Sequence, residues 1–141
     1  MAKYVIKDAV IEINSVDLSN RVAEVTVNMS ADDVDVSTMG TGVHQHLGGL
    51  RNDSFTVKFL QDFAAASVDA TLHPLIATAS SQPTFPIEVS PFSGAASATN
   101  PHYSSAEGIL LDYQPMQGAV GARSEADVTF FANDSIVRDP T

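Results

Sequence analysis

From Ala23 to Ser30, the apolar residues Ala23, Val25, Val27 and Met29 alternate one for one with Glu24, Thr26, Asn28 and Ser30. A period of two puts the two sets on opposite faces of an extended chain, so this segment predicts a strand with one buried face. The alternation recurs at Phe55, Val57 and Phe59 against Ser54, Thr56 and Lys58, and at Phe85, Ile87 and Val89 against Thr84, Pro86 and Glu88. Pro86 has no amide proton to give a ladder, which predicts an edge strand or a bulge there. Later strands are expected at Ile109, Leu111 and Tyr113 and at Val128 and Phe130, with Asp112, Gln114, Asp127 and Thr129 between them. Tyr4 to Ile13 reads as an opening strand and Ser15 to Ser19 as a short addition. About six or seven strands between Gly, Asn and Pro turns predict a mostly β fold, an antiparallel β-sandwich or barrel.

One stretch departs from the period of two. Between Ala64 and Ala79 the apolar residues Val68, Leu72, Leu75, Ile76 and Ala79 are spaced by threes and fours, which predicts one flanking amphipathic α-helix. Ser67 is placed as its N-cap, Asp69 suits the positive end of the helix dipole, and Pro74 predicts a break or a later start. Two segments show no period, Ser30 to Arg51 and Phe92 to Ser105, and both are expected outside the core. Structureless loops beyond about 15 residues are uncommon in a compact domain, and an assembly partner could order them. Phe130 and Phe131 are adjacent, so on a strand one ring faces away from the first core.

Composition narrows the function classes. With 141 residues, 1–141 reads as a single domain. Apolar residues form 44% and charged residues only 17% of the chain, which leaves a surface of small polar groups that is cheap to dehydrate in large contacts. Seven basic and seventeen acidic residues give a net charge of −10, and the basic ones form no stripe that could displace counterions from phosphates. There is no cysteine, so disulfides, thiolate metal sites and cysteine nucleophiles are excluded. The first residues carry no signal-peptide core, and no apolar run approaches the roughly 20 residues that span a bilayer. The expectation is a protein made soluble in the cytoplasm, with no membrane partner.

Candidate chemistry is sparse. His44 and His46 form an H-x-H pair that a strand would put on one face, but His73 and His102 are remote and the remaining metal ligands are missing. Asp32, Asp33 and Asp35 open like a calcium loop, yet position 43, where a bidentate Glu belongs, is Val. No nucleophile elbow or catalytic triad can be placed, and Gly40, Gly42, Gly48 and Gly49 lack a phosphate-loop setting, so they read as turn residues. No catalytic, cofactor or metal site is assigned.

Taken in order, several segments together resemble the major tail tube proteins of long-tailed bacteriophages, a family similar to the inner tubes of contractile injection systems. These are the turn Asp17 to Asn20, the run VAEVTVNMSADDVDVSTMGTG, the run HLGGLRNDSFTVKFLQDF, one helix and late strands. The likeness spans nearly the whole chain, except the Phe92 to Ser105 loop. It implies a sandwich or barrel with a flanking helix, stacked in hexameric rings as a hollow tail tube in the virion. It also implies inter-subunit sheets around the bore and a loop near 30–51 that orders against neighbouring subunits. The residues this assigns to ring stacking are Asp32, Asp33, Asp35, Thr38, Met39, His44, His46, Leu47, Leu50 and Arg51.

The partners implied are further copies of the chain, the tape-measure protein, tail-tip and tail-terminator proteins, and double-stranded DNA passing through an acidic lumen. Alternation separates two faces of each strand without naming the one that lines the bore. The rival readings are a head decoration protein, a tail terminator, a carbohydrate-binding sandwich, or an enzyme using His44 and His46.

Overall fold

The computed structural model describes residues 5–140. Its strands are β1 (Val10–Ile13), β2 (Val16–Asp17), β3 (Val22–Asn28), β4 (Ala31–Asp35), β5 (His46–Arg51), β6 (Ser54–Leu60), β7 (Phe85–Ser90), β8 (His102–Gln117), β9 (Glu125–Ala132) and β10 (Val137–Asp139). One sheet runs in the order β2-β1-β7-β8-β9-β6-β3 with β10 beside β8, and β4 and β5 pair apart from it. Every pairing between these strands is antiparallel. The expected fold class holds, with more strands than the period alone showed. Tyr4, the first residue of the expected opening strand, lies outside the described residues, and β1 begins at Val10.

The large sheet curls around its own inner face. Ile11 and Ile13 from β1, Phe85 and Ile87 from β7, Leu110 from β8, and Phe55, Phe59 and Phe130 from β6 and β9 form one buried cluster. Phe85 and Phe130, on the two strands that flank β8, meet edge to face at 5.8 Å and 83° over the inner face of the sheet. The curl does not close by strand pairing, because β3 at one end and β2 at the other are both edges. Along the seam, Ile6 and Ala9 line one cavity with Val22 and Val25.

Register shifts explain where the alternation misleads. In β3 a shift between Val22 and Glu24 leaves Ala23 exposed, and only Val22, Val25 and Val27 are half-buried against the core. In β8 a shift between Leu110 and Asp112 inserts an extra residue. Leu110 is therefore fully buried and Leu111, expected inside, is exposed. Pro86 sits in an interior strand, not at an edge. The bulge is the correct half of its reading, since the register with β8 shifts between Phe85 and Ile87.

The helix is shorter than its periodicity suggested. α1 covers Val68–Leu72 and passes into a 3-10 turn at His73–Leu75, because Pro74 has no amide to bond back to the preceding turn. Val68, Leu72 and Leu75 are buried as expected, while Ala79 is exposed. Ser67 holds the N-cap position without a capping side-chain bond. The Tyr113 hydroxyl donates to Asp69 at 2.8 Å and accepts from Gln61 at 3.0 Å. Burial first, then Asp69, pushes this phenol up to about 12. The preceding loop is held by Asp62, whose carboxyl is lowered to about 2 by the Ala64 amide, then by Arg21 and Ser67.

The Phe92 to Ser105 segment is less external than expected. β8 already begins at His102, and Asn100 and Ser105 are buried polar residues. The Asn100 side chain accepts from the Phe92 amide and donates to the Ala95 carbonyl, which satisfies its polar atoms out of water.

The β1–β2 hairpin turns on Asn14 and Ser15, at φ of 51° and 65°. Both values suit a two-residue primed turn, a conformation that strains any residue with a Cβ and that Ser tolerates less well than Asn. Ser15→Gly is expected to raise unfolding stability by about 0.5–1 kcal/mol in denaturant titration. No gain would show that the left-handed conformation at position 15 carries no strain.

Candidate assembly interface

The segment from Ser30 to Arg51, expected to be irregular, is an arm made of the β4–β5 hairpin. The register pairs Asp33 with Gly48, Val34 with Leu47 and Asp35 with His46. Residues opposite one another share a face, so Val34, Val36 and Leu47 fall on one side and Asp33, Asp35, His44 and His46 on the other. On the polar side His46 Nδ1 meets Asp33 at 2.7 Å and His44 Nδ1 meets Asp35 at 3.5 Å. Asp35 is held below the ordinary carboxylate range by the Ser37 hydroxyl, then the Ser37 amide, with a smaller effect from His44.

Gly48 and Gly49 lie inside β5 and do not form a turn, which corrects their expected role. A Cβ at position 49 would come within 3.2 Å of the Asp32 Cβ and the Val34 Cγ2, so glycine permits the close approach of the two strands. Every residue of both strands is exposed. A two-stranded hairpin with no core of its own is marginal in water, and this one presents its apolar side to solvent.

The arm is rooted on Asp53, a residue the sequence reading passed over. Its carboxylate is buried and accepts the amides of Ser30 at 3.2 Å and Ile136 at 2.8 Å, plus two guanidinium bonds from Arg51 at 3.1 and 2.7 Å. One side chain thus ties both ends of the arm to the segment leading into β10. Burial would raise its pKa, but the Ile136 amide, Arg51 and the Ser30 amide outweigh that and hold it below the usual carboxylate range. In sequence Asp53 is one of three polar residues in Arg51-Asn52-Asp53, and nothing in their pattern marks the buried one.

A second surface lies on the outer face of β3, β6, β9 and β8. One row runs Glu24, Lys58, Asp127, Gln114 and the next runs Thr26, Thr56, Thr129, Asp112, each residue opposite its neighbour. This face is four strands wide and polar, with three carboxylates (Glu24, Asp127, Asp112) against the ammonium of Lys58. Below these rows Phe131 sits opposite Ile109, so the second ring of the Phe130-Phe131 pair meets an apolar residue on the outer face.

Neither a protein-family model nor a curated protein sequence matches the chain. Among solved structures, it is similar to a chain of the virion of a native gene transfer agent particle, at TM-score 0.73 and 13% identity, covering 96% of this chain and 98% of that one. A chain from the tail of the empty particle, with C6 symmetry, matches at TM-score 0.72 and 14% identity over 96% and 98%. A chain from the sheath/tube terminator of the extracellular contractile injection system PVC, in its extended state, matches at TM-score 0.73 and 9% identity over 99% and 98%. The chain has a tail-tube fold.

On this tail-tube fold, the residues expected at the ring-stacking surface all lie on the arm or at its root. Asp32, Asp33, Asp35, His46, Leu47 and Leu50 are on its strands, and Thr38, Met39 and His44 on the connection between them. Arg51 closes β5 and is turned back onto Asp53. His73 ends α1, and His102 pairs with Glu88 at 2.6 Å, both away from the arm. No group of three or more His, Asp or Glu among the described residues is arranged to hold a metal ion. No helix among them is long and apolar enough to cross a membrane.

Asp53→Ala should unfold more easily by about 2–4 kcal/mol, because it leaves the buried Ile136 amide, the half-buried Ser30 amide and Arg51 without their acceptor. The sign of the pH effect follows from the lowered carboxyl. Its stabilisation is complete above the ordinary carboxylate value of about 4 and is lost as pH falls through the lower folded value. Unfolding followed from pH 7 to acid should therefore lose less stability in the variant than in the native chain. Parallel acid profiles would show that Asp53 is not the group concerned.

Proposed function

We propose that this chain is a structural subunit of a phage-like tail tube, which assembles with its own copies into stacked rings around a bore for double-stranded DNA. The observation that carries the reading is the union of a tail-tube fold with a polar sheet face four strands wide on the outside of the curled sheet. A sheet buries one face in its own core, and this opposite face has threonines and carboxylates where a monomer interface would have apolar groups. Turned toward a bore, it would present three carboxylates and one ammonium to DNA, which carries one charge per about 1.7 Å of axis. Repulsion with no cationic row leaves no position where a moving duplex would stall.

Six subunits per ring is the reading supported by likeness to a tail structure with C6 symmetry. The arm supplies contacts between copies, the tape-measure protein occupies the bore before DNA does, and tail-tip and terminator proteins bound the two ends in the virion tail. The role is structural, not enzymatic. A terminator ring is the second reading, favoured by the likeness to a structure described as a sheath/tube terminator.

Negative-stain electron microscopy of purified protein over a concentration series distinguishes these. Hollow tubes support the tube subunit, single rings that never lengthen support the terminator, and monomer at every concentration, even with a tail-tip initiator, removes both. In tail-bearing particles, Thr56→Arg with Thr129→Arg should leave tube length unchanged and lower DNA delivery per particle at least several-fold. Unchanged delivery would show that this sheet face does not line the bore.

A further inference from the structure

β10 continues the line of β9 along the same side of β8. Gly108 pairs with Ala132 of β9 and Ser104 with Val137 of β10, while β7 holds the other side of β8 at Tyr103 and Ser104. The connection between them, residues 133–136, is fastened at its two halves to different parts of the molecule. Its first half is fixed to β8. The Asn133 amide donates to the Glu107 carbonyl at 3.0 Å, and the Asp134 carboxylate accepts from the Ser105 hydroxyl and from the Ala106 amide at 3.1 Å. Its second half is fixed to the root of the arm, where the Ile136 amide donates to Asp53.

The Asp53 carboxylate divides its bonds between arm and connection. Oδ1 accepts the Ser30 amide and Arg51 Nε, and Oδ2 accepts the Ile136 amide and Arg51 Nη2. Ser30 and Asn52 close the base of the arm with two bonds of 2.8 Å, from the Asn52 amide to the Ser30 carbonyl and from the Ser30 hydroxyl to the Asn52 carbonyl. The Asp53 main chain is held separately, its carbonyl accepting the Ala132 amide of β9 at 3.0 Å. The tie through the Ile136 amide depends on a weak element. β10 is three residues long, pairs on one side with β8, and leaves Val137 50% exposed, and between residues 135 and 139 the core includes Ile136 alone. These are the features of a segment that opens locally before the rest of the fold. When β10 lifts, Ile136 leaves with it and water takes the place of its amide on Oδ2. A hydrated carboxylate holds Arg51 and the Ser30 amide more weakly than one shut away from water.

We propose that β10 is a latch for the arm. While β10 lies on β8, the Ile136 amide holds the Asp53 side chain and fixes the arm at its root, and when β10 lifts, the arm is freed to swing about Ser30 and Asn52. The hinge lies after Asp134, because Asn133 and Asp134 stay bonded to β8. An edge strand and an exposed arm, far apart in the chain, are thus linked through one buried carboxylate. The coupling lies within one subunit and holds whether or not that subunit builds a tube, so its test uses the free protein.

The chain has no cysteine of its own, so Ser104→Cys with Val137→Cys, opposite one another on β8 and β10, gives a disulfide that locks the strand and opens again with reductant. Hydrogen exchange followed amide by amide in NMR reads the root of the arm through Ser30 and Asn52, and the amides of β6 and β9 report on the body. In the oxidised form Ser30 and Asn52 should exchange about tenfold more slowly than in the reduced form. Ile136→Ala keeps the amide and removes most of the side chain that seats it. This variant should speed the same two amides about tenfold and leave β6 and β9 unchanged. Root amides indifferent to the lock would overturn the latch. So would a cysteine pair that does not oxidise, since β10 would then not lie opposite Ser104. Acceleration of β6 and β9 in step with the root in Ile136→Ala would show general unfolding in place of a hinge, and overturns the latch as well.

Discussion

The burial of one face of a single antiparallel sheet organises this subunit: Phe85 and Phe130, on the strands either side of β8, meet edge to face over that face, and most of the molecule follows from enclosing it. An antiparallel sheet buries one face and leaves the other wet, so curling it around its apolar face turns every remaining strand position outward. The helix and the 3-10 turn add Val68, Leu72 and Leu75 to the same interior. The outer face of β3, β6, β9 and β8 takes no part in that core. It carries threonine and carboxylate rows, where a core would have branched apolar residues.

Two features lie outside that core. Because the curl ends in two edges, an apolar groove remains at the seam, and because the β4–β5 arm is excluded from the sheet, it has no core beneath it. Asp53 sets where that arm leaves the body, through bonds to Ser30, Arg51 and Ile136. A buried carboxylate with four acceptor contacts holds one geometry more tightly than apolar contacts would, since each bond has a direction. The arm is thus exposed along its length and firmly held at its root.

Much of this was legible before the structure. Strict alternation at Phe55 to Phe59 and at Phe85 to Val89 named core residues correctly, and the threes and fours from Val68 to Leu75 named the helix face. What failed were the places where one extra residue enters a ladder. At Leu111 and Ala23 a bulge breaks the alternation, so the faces predicted beyond it hold while the residues at it do not, and no residue type in those stretches announces it. The arm was missed as structure for a related reason. Its apolar face is only Val34, Val36 and Leu47, and the glycines that let its strands close together read as turn signals.

By itself the sequence determined the β class, the single core, the absence of thiol chemistry and the acidic balance, because these depend on composition and local period. It also carried the likeness to tail tube proteins, spread over segments that are weak one by one. Only the tertiary structure decided that Thr26, Thr56, Thr129 and Asp112 form one row, that Asp53 is buried, and that Val27 and Tyr103 line one groove. Each of those facts joins residues from strands far apart in the chain. Strand order and register, which no local pattern encodes, bring them together, and the register is set by the whole sheet closing around its core.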